Sequence, residues 1–307
     1  MSSIIYVLLN SFSGTELMLF AIALVALAIG SYTDFRKREV PDWMSYSFVF
    51  IALGIRLIYS AITFDWMFFV YGILGFFVFL GIALLMFYTG QWGGGDAKVL
   101  AGIGAAIGLK FSLDSMLIAF VINTIIIGGL YGLVYSFYLA SRNRSKFFRK
   151  FWSLLSDKKI KSKQKTALIV TVLLLLISLF SGFFFGFKSV VFYFVSPLSV
   201  MVLFYLWVFV KAVEDSSFYR FVEPDKLTEG DWIVREIHAD GRYVCGPKDL
   251  GIEKPQIKKL IELKKRNKVK KILIKEGIPF VPSFLLTFIA TLIFGNLMLW
   301  MIGRIYG

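Results

Sequence analysis

The chain has 307 residues, of which 58% are hydrophobic and only 18% are charged. A soluble domain has roughly 45–50% apolar and about 25% charged residues, so this composition excludes an ordinary soluble protein and predicts a polytopic membrane protein. The net charge of +14 comes from basic residues that cluster between apolar segments. Such clusters are typical of cytoplasmic connections that face anionic lipid headgroups. We therefore expect contact with those headgroups and no binding of nucleic acid.

The chain contains one cysteine, Cys245, and one histidine, His238. These numbers exclude a Cys/His zinc site, a disulfide framework and a His-dependent serine or cysteine catalytic set. Both residues lie in the polar part of the chain, where we expect them to be a packed thiol and a solvated imidazole. We expect neither a bound metal ion nor a cofactor.

A membrane-spanning helix needs about 20 apolar residues, and this length predicts about eight spans, with six to eight possible. The spans lie near residues 16–33, 43–61, 66–89, 97–110, 113–140, 167–187, 190–211 and 281–303. The fourth is short and rich in glycine, which predicts a partial or tilted span that packs closely against other helices. The break between the sixth and seventh, at residues 186–189, is weak.

The polar stretch before the last span has the pattern of a small folded domain. Residues 231–238 and 242–245 are predicted strands joined by a turn at Asp240-Gly241. Residues 255–267 have helical spacing, and residues 271–275 alternate like another strand. The predicted fold class is therefore an all-α polytopic membrane protein with a small α+β cytoplasmic domain before the last helix. The expected parts are a transmembrane core (1–140), a basic loop (141–166), a hairpin (167–211), the small domain (212–280) and the last helix (281–307).

A run of glycines followed by a carboxylate interrupts the apolar pattern near its centre. Gly93, Gly94 and Gly95 are unfavourable inside a helix, and they predict a loop that lets another chain approach closely. Asp96 follows at the start of the next apolar segment, where an ionisable group is costly and indicates function. Asp34 occupies the mirror position, at the end of the first apolar segment. The basic segments place both aspartates at the same, cytoplasmic, edge of the membrane.

Two carboxyl groups that share one proton can hydrolyse a peptide bond. One activates water as a general base while the other protonates the carbonyl oxygen and then the amine. This chemistry needs no metal, histidine or nucleophilic serine. A transmembrane substrate helix has a fully hydrogen-bonded backbone, so a loop without side chains beside the aspartate would let an unwound substrate strand approach.

These residues resemble a known family. Gly93-x-Gly95-Asp96 matches the GxGD signature of intramembrane aspartic proteases. The continuation to Lys98, together with Asp34 followed seven residues later by Pro41, resembles the prepilin peptidases. Two further segments, 229–232 and 277–282, resemble archaeal members, which process prepilins and prearchaellins.

The resemblance implies that Asp34 and Asp96 are the catalytic pair. It implies that Gly93, Gly95 and Lys98 are supporting positions, with Gly94 in the same substrate loop. The implied partner is a membrane-embedded prepilin or prearchaellin, which loses a short basic leader at the cytoplasmic face. Bacterial members begin with a Cys-rich region tied to N-methylation, and no such region is present here, so we expect no methyltransferase activity.

The acidic residues nearest to Asp34 are Glu39 and Asp42, and at least one of them is expected to face the lysines of the leader. In the alternative interpretation, Asp42 only occupies the first turn of the second span and Glu39 pairs with a neighbouring arginine. Two competing functions also remain open. Paired intramembrane carboxylates serve ion- or proton-coupled transporters, and an inactive assembly protein would retain the same pattern.

The charge distribution predicts that segments 141–166 and 212–280 are cytoplasmic and that both termini are external. Single cysteines introduced into these segments, in a Cys245→Ser background, should react with a membrane-impermeant thiol reagent only after the cells are opened. Labelling of residues 141–166 in intact cells would contradict this orientation.

Overall fold

A computed structural model describes residues 12–110, 112, 115–185, 190–239 and 241–306. The chain divides into two compact units, of which the first comprises residues 1–132 and 221–307 and the second comprises residues 133–220. The fold is predominantly helical with a small sheet region near the C-terminus. This architecture confirms the predicted fold class.

The first unit begins with consecutive helices. Their bounds are α1 Gly14–Lys37, α2 Asp42–Thr63, α3 Trp66–Tyr88, α4 Gly94–Ile107 and α5 Met116–Arg142, which continues into the second unit. A capping box starts α1, because the Ser13 hydroxyl accepts the Glu16 N–H at 3.2 Å and the Glu16 carboxylate accepts the Ser13 N–H at 2.9 Å. The helix ends at Arg38, a left-handed residue with φ 58°. Pro41 then forms the N-cap of α2, so the chain turns back abruptly after Asp34.

The number of spans lies within the predicted range of six to eight, and α4 is too short to count as one of them. Within the described part of the chain, six helices are long and apolar enough to cross a membrane, or seven if a bent pair at the C-terminus counts as one. The fourteen residues of α4 extend over about 21 Å, which is less than the roughly 30 Å of a hydrocarbon core. Residues 99–107 of α4 are all buried, as expected for a partial span enclosed by other helices.

Close backbone contact joins α3 to α4. A Cβ atom built on Gly104 would lie 2.2 Å from the Gly75 carbonyl oxygen, and one built on Gly75 would lie 2.3 Å from the Gly104 carbonyl oxygen. Gly102 meets the Phe48 ring of α2 in the same way, at 2.4 Å. Small residues therefore let α4 insert directly against its neighbours, as the sequence predicts.

The C-terminal span is bent. It consists of α10 (Val281–Phe294) and α11 (Leu297–Tyr306), whose axes differ by 47°, and the two together cover the span predicted near residues 281–303. The buried Asn123 side chain of α5 donates to the Gly295 carbonyl at 2.7 Å and accepts the Leu297 N–H at 2.9 Å. This amide satisfies backbone groups that the break frees inside an apolar environment.

The small domain before α10 contains two sheets and one helix. Its elements are β1 Tyr219–Val222, β2 Trp232–Ile233, β3 Ile237–Ala239, β4 Arg242–Cys245, α9 Lys254–Lys265 and β5 Ile272–Lys275. One sheet has the order β1-β5-β2, with β2 and β5 antiparallel, and β3 pairs with β4 in the other. The predicted strand over 231–238 is therefore wrong, since it splits between the two sheets. Asp240 of the predicted turn lies outside the described residues.

The predicted helix and the last predicted strand of this domain are confirmed. Leu260 and Leu263 of α9 pack with Ile272 and Ile274 of β5 in an apolar core that also contains the buried Cys245. Lys264, one turn after Leu260, pairs with Glu223 at 2.7 Å and also with Asp225. The domain thus has a core of its own.

The second unit contains three further helices. They are α6 Arg144–Ser156, α7 Lys158–Phe185 and α8 Val190–Val213. The basic segment 141–166, which was expected to be a loop, is mostly helical. Phe147 of α6 packs against Phe209 of α8 with ring centroids 5.3 Å apart, while Phe148 and Trp152 are exposed. The predicted break at residues 186–189 lies outside the described residues.

Arg56 of α2 holds the far end of α4. Its side chain is only 2% exposed, and its guanidinium donates to the carbonyls of Ala105, Ala106 and Ile107 at 2.8–2.9 Å. It also donates to the Phe68 carbonyl at 2.8 Å. Since the last carbonyls of a helix lack intrahelical donors, Arg56 acts as a C-cap within the apolar core.

We expect Arg56→Met to lower the free energy of unfolding by about 2 kcal/mol or more, because it leaves buried carbonyls without a donor. Arg56→Lys should have a smaller effect, since one ammonium reaches fewer carbonyls. Thermal unfolding in detergent measures the change, with Arg36→Met at an exposed position of α1 as the control. Equal stability of Arg56→Met and Arg36→Met would show that this cap is dispensable.

Candidate active site

Asp34 lies in the last turn of α1 and is 7% exposed. Its Oδ2 accepts the backbone N–H of Val281, the first residue of α10, at 3.0 Å. Its own carbonyl oxygen accepts the Arg38 N–H that ends α1. A buried carboxylate needs such donors to offset its loss of water. The position of Asp34 therefore depends on both the end of α1 and the start of α10.

Asp96 is the third residue of α4. Its Oδ2 accepts the backbone N–H of Gly93 at 2.9 Å, and Gly93 is the N-cap of the helix. This contact is the reciprocal half of a capping box, in which an acidic side chain at the third helical position reaches back to the N-cap N–H. The local sequence alone thus fixes the orientation of this carboxylate.

The fold brings the two aspartates to the same end of the first unit, where their charges lie within electrostatic range of each other. Val40, in the turn that follows α1, contacts the backbone of α4 directly. A Cβ atom built on Gly95 would lie 3.0 Å from both Cβ and Cγ2 of Val40. The absence of a side chain at Gly95 therefore sets how closely α4 approaches the turn after Asp34.

The three glycines differ in their surroundings. Gly94 and Gly95 form the first turn of α4, and the prediction that they belong to a loop is wrong. A Cβ atom on Gly94 would make an ordinary contact with Phe87 at 3.7 Å, and one on Gly93 would lie 3.5 Å from the Asp96 carboxylate. Only Gly95 is crowded by another segment of the chain.

Lys98 and Asp42 form an ion pair between α4 and the first turn of α2. The Lys98 ammonium also lies 5.3 Å from the centre of the Tyr46 ring. Glu39 is exposed in the turn after α1, where it and Asp42 lie within electrostatic range of Lys254. Asp42 therefore lies in the first turn of α2, as the alternative interpretation proposes, and Lys98 compensates the charge of Asp42.

Sequence reasoning missed the contribution of the C-terminal part of the chain. Phe280 and Phe284 pack on Trp92, which precedes the glycine run, with ring centroids 5.4 and 5.2 Å apart. Arg38 donates to the Gly277 carbonyl at 3.2 Å. Gly90 has φ 72°, and its α-carbon faces the Trp232 ring, which a Cβ atom would meet at 2.7 Å. The Gly/Pro-rich segment 277–282 signals a helix start, but backbone donors carry no sequence signature.

His238 and Cys245 lie in the small domain, apart from the aspartates in sequence and in contacts. Burial raises the pKa of the Cys245 thiol to about 11, so the thiol is un-ionised at neutral pH and is a poor nucleophile. His238 is exposed and stacks edge-on with Tyr243. Within the described residues, no group of three or more His, Cys, Asp or Glu side chains is arranged to hold a metal ion.

The arrangement provides one buried and one partly buried carboxyl group, each oriented by a backbone N–H and each at the end of a helix. A pair of this kind can hold one proton between its members and exchange it with a bound water molecule. General acid–base chemistry at a peptide or ester carbonyl is the reaction class that these groups support.

Comparisons with known proteins bear on this region. Residues 20–133 match the type IV leader peptidase family. Preflagellin peptidases from Methanocaldococcus jannaschii and Methanococcus maripaludis are 34% and 38% identical to this chain over 88 and 91 residues. A third, from Methanococcus voltae, is 35% identical over 88 residues. No solved structure matches the chain.

The matches are partial. Each alignment covers 29% of this chain, and 37–38% of the length of the relative. The small domain and α10 lie outside the matched family region, which contains Asp34, the glycine run and Asp96. Residues 20–133 of this chain are thus similar to the type IV leader peptidase family.

Proposed function

We propose that this protein is a membrane aspartic endopeptidase that removes the short basic leader from type IV pilin-like or archaellin precursors. The observation that carries the proposal is the proximity of the buried Asp34 and the partly buried Asp96 at one end of the helices matched to the leader peptidase family. A bound water lies between the two carboxyl groups in the proposed enzyme–substrate complex.

In this mechanism the ionised aspartate takes a proton from the water, and the resulting hydroxide attacks the carbonyl carbon of the scissile bond. The protonated aspartate donates its proton to the carbonyl oxygen, which gives a tetrahedral diol. Collapse of the diol breaks the C–N bond: the amine leaves with a proton from the first aspartate, and one diol hydroxyl returns its proton to the second aspartate as the carboxylic acid product forms. Both protons are accounted for, and the reaction needs only the two carboxyl groups.

The orientation of the site follows from charge. Arg36, Lys37 and Arg38 follow Asp34 at the end of α1, and basic residues at the end of a span favour the cytoplasmic side. We therefore assign the active site to the cytoplasmic membrane face. The substrate leader is itself basic, so its docking requires carboxylates that are not already compensated. Since Asp42 pairs with Lys98, Glu39 is the better candidate for contact with the leader.

We expect Asp34→Asn and Asp96→Asn each to reduce leader cleavage by at least about 10²–10⁴-fold, because each removes one general acid–base group. Co-expression with an epitope-tagged precursor, followed by a gel shift on loss of the leader, measures cleavage. Asp65→Asn is the matched control, since Asp65 is an exposed carboxylate between α2 and α3. Full processing by either folded aspartate variant would refute the two-aspartate mechanism.

The different surroundings of Gly95 and Gly94 predict that an alanine lowers activity more at Gly95 than at Gly94. Gly95→Ala should lower kcat by about tenfold or more, since displacement of Asp96 by a fraction of an ångström disturbs the reacting geometry. Gly94→Ala should retain activity within a few-fold, because its Cβ meets only an ordinary contact. Initial rates on a purified precursor test the difference, and equal rates for the two variants would contradict the role given to the Val40 contact.

A further inference from the structure

The catalytic pair receives a contribution from outside the matched family region. We infer that the backbone N–H of Val281, at the start of α10, is a positioning group that holds the Asp34 carboxylate in its working orientation. This inference rests on the proposed function, because it assigns a task in the same reaction. It makes the C-terminal span a functional part of the active site.

The hydrogen bond itself is well defined. The Val281 nitrogen lies 3.0 Å from Asp34 Oδ2 in a buried environment, and the neighbouring Phe280 N–H also interacts with this carboxylate. The first N–H groups of a helix have no intrahelical acceptor, and they carry the positive end of the helix dipole. Pro282 follows within the first turn of α10 and offers no N–H of its own. The Val281 N–H, directly before Pro282, is thus directed to Asp34.

The packing of α1 permits this contact. Gly30 lies one turn before Asp34, and a Cβ atom there would be 3.2 Å from Val281 Cγ1 and 2.9 Å from Met44 Cε. The Met44 methyl ends a flexible side chain and can move, whereas the Val281 branch is fixed close to the backbone. Val281 is completely buried. The lack of a side chain at Gly30 therefore allows the start of α10 to reach the carboxylate.

The contact mirrors the one at Asp96. At each aspartate, one backbone N–H donates to Oδ2, and the N–Oδ2 distance is 3.0 Å for Asp34 and 2.9 Å for Asp96. For Asp96 the donor is three residues away in sequence, and for Asp34 it is 247 residues away. One carboxylate is therefore oriented locally and the other by tertiary structure. Displacement of α10 should disturb Asp34 alone.

The first test uses Gly30→Ala, whose added methyl group should displace the start of α10 and with it the Val281 N–H. Gly30→Ala should lower kcat for leader cleavage by about tenfold, with KM within about twofold, because the substrate contacts are unchanged while Asp34 loses its donor. Adding Val281→Ala to Gly30→Ala removes the clash and keeps the N–H, so it should restore kcat to within about threefold. Gly81→Ala, in α3 with nothing near its Cβ position, is the matched control. A Gly30→Ala enzyme with normal kcat would overturn the inference.

The second test removes only the Val281 N–H and leaves every side chain in place. Replacement of Val281 by its α-hydroxy acid, introduced by nonsense suppression, turns the amide into an ester and preserves the side chain. Loss of a hydrogen bond to a charged group, about 1.5–3 kcal/mol, corresponds to a fall in kcat of about 10–100-fold. The same exchange at Ile289, inside α10, costs a backbone hydrogen bond but should leave kcat within about threefold.

The outcomes separate this inference from the proposed function. A Val281 ester that folds, as judged by size exclusion and thermal unfolding, and cuts the leader with normal kcat overturns the positioning role while the endopeptidase proposal stands. Equal losses in the Val281 and Ile289 esters also overturn it, since they would reflect general weakening of α10. A wild-type protein that cuts no leader overturns both proposals.

Discussion

Two carboxyl groups lie at one end of a helical membrane protein, Asp34 buried and Asp96 partly buried, and each needs a hydrogen-bond donor that replaces water. Both donors are backbone N–H groups at helix starts, from Gly93 for Asp96 and from Val281 for Asp34. Helix starts are the one place where a helical protein has free N–H groups to offer. The positions of α1, α4 and α10 relative to one another follow from this requirement.

The same principle operates at the opposite end of α4. A fourteen-residue helix is too short to bring its last carbonyls to water on the far side of a membrane. Arg56 donates to three of them, and Lys110, just beyond α4, pairs with Glu16 at the start of α1 at 2.9 Å. Polar groups therefore satisfy the end of α4, as the Asp96 carboxylate caps its start through Gly93, and close contact of Gly75 with Gly104 holds the helix against α3. This short helix can thus be held rigidly while it presents Asp96.

Structural features that depend on residues close together in the chain could be predicted from the sequence. The apolar spans, the amphipathic helix near residues 254–265 and the abrupt turn at Pro41 follow from local composition and backbone preference. The α4 boundary was off by three residues, because Gly94 and Gly95 were assigned to a loop on their low helix propensity. Capping of Gly93 by Asp96 and burial against other helices outweigh that propensity. The strand expected over 231–238 failed for a similar reason, since pairing partners divide it between two sheets.

By itself, the sequence determined the membrane class, the two candidate aspartates with their motif, and the similarity of residues 20–133 to the type IV leader peptidase family. These features depend on composition and on residues close together in the chain. Only the tertiary structure decided that Asp42 is neutralised by Lys98, that Gly95 meets Val40, and that Val281 reaches Asp34. Each of these contacts joins segments far apart in sequence. The last uses a backbone N–H, which every residue except proline possesses, so no side-chain pattern could have revealed it.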